Sequence, residues 1–224
     1  MTEFIFYLTY NDTTIWNALA VFNEIQDTTV TNVGFKDVGL SFEKLKELRE
    51  AITKAGKRTF LEVVTVNRET NILSAKMAAD LKVDCLMGSL PECIEPTMKI
   101  LEGTGIEFFP YIGKIVGHPC QLRGSIEEIE EQGRQAEEEG VDGVDLLAYR
   151  YDGDVDRLMS KVIGSLHVPV IVAGSINSLE RVRKVSQIGA WGFTVGTAIL
   201  DRVIVPGGTL SDQIDAVLRA CSIK

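Results

Sequence analysis

Positive charge is scarce in this chain. It carries 23 Lys and Arg against 32 Asp and Glu, a formal net charge of −9. A nucleic-acid binder presents a basic stripe, and none is present, so no nucleic-acid partner is expected. The longest charged stretch, "SIEEIEEQGRQAEEEG" at 125–140, is acidic. Ile126 and Ile129 recur in it at helical spacing, which reads as a solvated helix face. Cysteine is sparse too. Cys85, Cys93, Cys120 and Cys221 match no zinc or redox spacing, so neither metal nor cofactor is expected. The N-terminus "MTEFIFYLTYND" lacks a basic region followed by a long apolar core. No apolar run approaches the ~20 residues that span a bilayer. These absences predict a cytoplasmic protein with free thiols and no membrane association.

What remains is an aliphatic chain of 224 residues, 45% hydrophobic, with 20 glycines. That length suits one α/β barrel of roughly 200–250 residues. No Pro/Gly/Ser-rich linker divides it, so residues 1–224 read as a single domain. Eight short apolar runs recur: 3–9, 30–35, 58–64, 83–87, 106–112, 141–148, 168–173 and 191–196. Between and after them lie amphipathic stretches at 13–26, 41–56, 68–81, 91–103, 125–139, 154–166, 178–189 and 210–221. Asp12 is a candidate N-cap for the first and Ser41 for the second. Phe42, Leu45, Leu48 and Ile52 give the second its 3.6-residue stripe. Alternation of this kind predicts parallel strands with crossover helices. Eight units close a single (β/α)8 TIM barrel. An open doubly wound sheet is the alternative, but it needs fewer strands and a binding turn after the first.

Two glycine turns stand out, Ala173-Gly174-Ser175 after run seven and Val195-Gly196-Thr197 after run eight. Strands seven and eight of a barrel end side by side. Glycine lets a backbone approach a ligand closely, and N–H groups at a helix start favour an anion. Gly174, Ser175, Gly196 and Thr197 are therefore candidate phosphate ligands, although either turn alone fits an ordinary strand-to-helix connection. The segments "PVIVAGSINSLERV" and "GAWGFTVGTAIL" resemble the phosphate-binding end of the ribulose-phosphate-binding barrels. The likeness is to the histidine-pathway phosphoribosyl isomerase type, as an outlying relative. It implies a small phosphorylated metabolite as ligand. That isomerase type uses carboxylates at the ends of strands one and five. Here Asp12 falls late after "YLTY", "PYIGKIVGHP" has no acid, and "VVTVNRE" has no second glycine turn. One phosphate on the ligand is expected.

Catalytic groups gather at the C-terminal strand ends of such barrels. Lys36 and Asp37 follow run two and fit either chemistry or a loop salt bridge. Glu62 interrupts "TFLEVV", and a buried carboxylate there needs a partner. Lys36 on the adjacent strand is available. Asp145 is the acid/base candidate of run six, and Arg150 beyond it can take an anionic group in a bidentate fork or lie at the surface. Lys114 and His118 sit in a glycine-containing loop after run five, a candidate substrate cover. Cys120 has no base partner in sequence. Catalytic Lys36, Glu62 and Asp145, with substrate-binding Asp37, Lys114, His118 and Arg150, suit isomerase-like proton transfer. The same groups suit a lyase working through a Lys36 imine or an enediolate. A non-catalytic barrel sensing a phosphometabolite is the third reading. The sequence leaves the oligomeric state open, a homodimer included.

Overall fold

Runs of Val, Ile and Phe become extended where both faces are covered. The computed structural model describes residues 2–221. In it the eight apolar runs form parallel strands: β1 (Glu3–Tyr7), β2 (Asn32–Lys36), β3 (Arg58–Glu62), β4 (Cys85–Met87), β5 (Glu107–Phe109), β6 (Val144–Leu146), β7 (Val170–Val172) and β8 (Gly192–Val195). Their order is β6-β7-β8-β1-β2-β3-β4-β5. The Tyr111–Asp145 bridge joins the two ends, and the Asp145 N–H donates to the Pro110 carbonyl at 2.8 Å. The sheet is thus a barrel.

Helices follow the strands: α1 (Ala18–Ile25), α2 (Phe42–Lys54), α3 (Arg68–Leu81), α4 (Ile94–Leu101), α5 (Ile126–Glu139), α6 (Val155–Ser165), α7 (Leu179–Ile188) and α8 (Leu210–Cys221). Their starts are set locally. Ser41 accepts from the Lys44 N–H, Asn67 from Glu69 and Thr70, and Ser125 with Glu128 forms a capping box. The apolar stripes pack outside the sheet, as with Leu45, Leu48 and Ile52 of α2. Inside the barrel lies a smaller cluster of Ile5, Tyr7, Phe60, Cys85, Met87, Phe109 and Ile171. Gly34 makes room there, because a Cβ on it would lie 2.5 Å from the Tyr7 ring.

Four expectations change. Residues 13–17 are not helical: Tyr10-Asn11-Asp12-Thr13 turns a hairpin pairing Thr9 with Thr14 and Tyr10 with Thr13. Asn11 and Asp12 both adopt left-handed φ, 48° and 55°, the pattern of a type I′ turn. Asp12 therefore caps no helix, and α1 starts four residues beyond Thr14. The stretch 91–103 opens with a 3-10 turn, Pro91–Cys93, before α4. After β8 the chain makes a one-turn helix, Thr197–Leu200, before α8. The loop after β5 is itself a hairpin, Lys114–Val116 against Gln121–Arg123. No helix among the described residues is long and apolar enough to cross a membrane.

Candidate active site

The C-terminal strand ends surround a cavity of about 450 Å3. Both glycine turns line it, through Gly174, Ser175 and Ile176 on one side and Gly196, Thr197 and Ala198 on the other. Gly174 has φ 83°, and a Cβ there would meet the Arg150 Cγ at 2.8 Å. Glycine is thus required twice over, for the left-handed turn and for the arginine stem lying across it. Ser175 follows at φ 43°. Its carbonyl accepts from the Arg181 guanidinium of α7 at 2.5 Å, and Arg181 stacks over Tyr149. The backbone N–H groups of Gly174, Ser175, Ile176, Thr197 and Ala198 find no acceptor among the described residues. Helix starts contribute less than expected, since α7 begins only at Leu179 and the other helix is a single turn.

The floor is charged. Lys36 and Glu62 are register partners on β2 and β3, and their ion pair spans 2.5 Å. Thr14 fixes the lysine backbone: its hydroxyl accepts from the Lys36 N–H at 2.7 Å and donates to the Lys36 carbonyl at 2.9 Å. The Tyr111 hydroxyl donates to the same Glu62 Oε1 at 2.7 Å. Lys36 also lies over the Tyr7 ring, 5.2 Å from its centroid.

Arg150, on the 3-10 turn after β6, does form a bidentate fork, but with Asp12. Its two nitrogens reach Asp12 Oδ2 and Oδ1 at 2.5 and 2.8 Å. The Cys120 N–H completes the carboxylate's bonding at 3.0 Å, and Lys36 stands 4.0 Å away. Burial opposes ionisation of Asp12, yet the Arg150 hydrogen bonds and the Lys36 charge outweigh it and hold the carboxyl down at about 2. Cys120 is the opposite case. Burial, then the charges of Asp12 and Glu62, push its thiol up to about 12, which removes it as a nucleophile at neutral pH.

Asp145 lies beneath this floor, off the cavity wall. It is fully buried, and neither carboxyl oxygen has a hydrogen-bond partner among the described residues. Burial first, and the nearby Glu62 second, raise its pKa well above the ordinary carboxylate value. A raised native pKa leaves full stability below the unfolded value. That stability is lost as pH rises toward the native value, because only the unfolded chain gains by ionising. Asp145→Asn is therefore expected to raise the melting temperature at pH 7 by at least about 3 °C. The gain should vanish near pH 4, as read in parallel thermal melts.

The remaining predicted residues fall elsewhere. Asp37 is buried behind Lys36, accepting from the Ser74 hydroxyl at 2.6 Å and the Val64 N–H at 3.3 Å. Lys114 and His118 are exposed on the hairpin after β5 and do not line the cavity. That hairpin reaches the cavity instead through Pro119 and Gln121. Among the described residues no cluster of three or more His, Cys, Asp or Glu is placed to hold a metal.

No protein-family model and no curated protein matches the chain. Solved structures do. Orotidine 5'-phosphate decarboxylase from Lactobacillus acidophilus aligns over 100% of both chains at 13% identity, with a TM-score of 0.67. Tryptophan synthase from M. tuberculosis aligns over 99% of this chain and 94% of its own at 13% identity and a TM-score of 0.71. (S)-3-O-geranylgeranylglyceryl phosphate synthase from Thermoplasma acidophilum aligns over 98% and 93% at 13% identity and a TM-score of 0.67. At such identities the likeness is one of fold, and the fold is the (β/α)8 barrel that the alternating sequence predicts.

Proposed function

We propose that this chain is an enzyme that moves a proton on a small phosphorylated sugar-type metabolite, in the manner of an isomerase. One observation carries the proposal: the two glycine turns and the Lys36–Glu62 pair line the same cavity. A phosphate oxygen accepts readily from unpaired backbone N–H groups at close-packed turns. With the phosphate seated between Gly174–Ile176 and Gly196–Ala198, the rest of the ligand extends toward Lys36 and Glu62. A proton next to a carbonyl is acidic enough to remove only if the developing enediolate oxygen is stabilised. Glu62 takes the proton, Lys36 stabilises the oxyanion, and Tyr111 fixes the orientation of the Glu62 carboxylate. Burial and the neighbouring Glu62 both disfavour the charged form of Asp145, below the pair. The decarboxylase and the glyceryl phosphate synthase above are named for phosphorylated compounds, which agrees with this ligand class.

The test is a thermal-shift screen of sugar phosphates. A ligand at a hundred times its Kd stabilises by about 2.7 kcal/mol, several degrees for a chain of this size. Ser175→Asp should abolish that shift while leaving the unliganded melt within about 1 °C, because Asp tolerates the left-handed conformation and repels phosphate. No shift with any phosphate ester would remove the proposal. A shift without chemistry would favour the sensor. Borohydride trapping of a Lys36 adduct, mapped by mass spectrometry, would favour the lyase.

A further inference from the structure

Five charged side chains line the cavity: Lys36, Arg150, Asp12, Glu62 and Asp201. Both cations are already engaged by carboxylates. Lys36 is closed on Glu62 at 2.5 Å, and both terminal nitrogens of Arg150 are closed on Asp12. Asp201, exposed at the mouth, has no cation paired with it among the described residues. The lining therefore holds one carboxylate more than it holds cations. Outside the lining, Arg181 backs the β7 turn through the Ser175 carbonyl. Lys114 and His118 do not reach the cavity. The lining also offers hydrogen bonds without charge from Thr9, Thr194 and Gln121.

Resting on the phosphate reading above, we infer that the ligand's phosphate is its only anionic group, and that its reacting end is an uncharged polyhydroxy or hydroxy-carbonyl chain. A second phosphate or a carboxylate at that end meets Asp12 and Glu62 with no unspent cation to receive it. To accept one, Arg150 must leave Asp12, and a buried carboxylate then stands without its fork. Hydroxyl and carbonyl groups pay no such penalty, since a hydroxyl can donate to the carboxylate oxygens of the pairs and a carbonyl can accept from the neutral side chains. The site selects against extra charge by what it has already paired.

The test compares a matched pair, ribitol 5-phosphate and ribonate 5-phosphate, which differ by a terminal hydroxymethyl or carboxylate group. Inorganic phosphate serves as the reference in calorimetric titration at fixed ionic strength. Wild-type protein should bind the ribitol ester at least tenfold tighter than the ribonate ester. Asp12→Asn releases the Arg150 fork and should narrow that ratio several-fold by strengthening ribonate binding. Asp201→Asn, at an exposed position whose side chain makes no ion pair among the described residues, should narrow it in the same direction by about twofold to threefold. Equal or tighter binding of the ribonate ester by the wild type overturns the inference while leaving the phosphate site intact. Binding of neither ester nor inorganic phosphate overturns the phosphate reading, and the inference with it.

Discussion

Arg150→Met should destabilise the protein by about 3 kcal/mol at neutral pH, the lower end of what breaking a buried ion pair costs. Asp12 is the reason. Its side chain is 4% exposed, and Arg150 supplies two of its hydrogen bonds. Without the guanidinium, the carboxylate keeps only the Cys120 N–H and Lys36 at 4.0 Å. Methionine retains the apolar stem that lies across Gly174, so the loss isolates the charge. The pH dependence follows from the depressed native pKa. Asp12 contributes stability above its ordinary value of 3.8, and that contribution is lost as pH falls through about 2. The gap between wild type and Arg150→Met, measured by urea denaturation, should therefore be widest above pH 5 and close as pH approaches 2. Asp12→Asn combined with Arg150→Met should recover part of the loss, since no charge is then buried unpaired. A pH-independent gap, or a loss under 1 kcal/mol, would mean that water in the cavity already solvates Asp12.

The barrel was legible because its signals are local. Apolar runs, cap residues and helical stripes each lie within a dozen residues, and α3 occupies the predicted 68–81. Lys36 opposite Glu62 was also legible, since adjacent parallel strands place successive strand ends together. Asp12 was not. Read as a helix cap, it is carried back over the barrel mouth by a turn whose signal, Asn11-Asp12 between Thr-rich flanks, is weak without glycine. Its partner Arg150 is 138 residues away, and only the closed barrel makes them neighbours. Tyr111 was hidden for a related reason. Within "IEFFPYI" it reads as one more apolar residue, and its hydroxyl finds Glu62 across two strand positions of the barrel interior. Lys114 and His118 show the opposite failure. Their loop lies at the mouth, but 114–116 pairs with 121–123 and both side chains are exposed to solvent. Period-based reading locates strand ends and does not fix where a hairpin beyond them aims its residues.

Glu62→Gln should abolish proton transfer while sparing ligand binding. The amide oxygen can still accept from Tyr111, so the side chain keeps its place, but it cannot take a proton. Lys36 retains Asp12 at 4.0 Å as a counter-charge, which limits the structural cost. Loss of a general base lowers rates by about 10²–10⁴-fold. The measurement need not wait for the product to be identified. A hydroxy-carbonyl phosphate that shifts the melting temperature is incubated with protein in D2O, and loss of its C–H signal next to the carbonyl is followed by NMR. Wild type should exchange that hydrogen, and Glu62→Gln should not, within a hundredfold limit of detection set by the uncatalysed control. Lys36→Met should also stop exchange, because an enediolate without an adjacent cation is not formed, but Tyr111→Phe should only slow it. Equal exchange in wild type and Glu62→Gln would move the base to another side chain of the cavity. Binding without exchange in the wild type would make the barrel a sensor, with the ion-paired floor serving recognition alone.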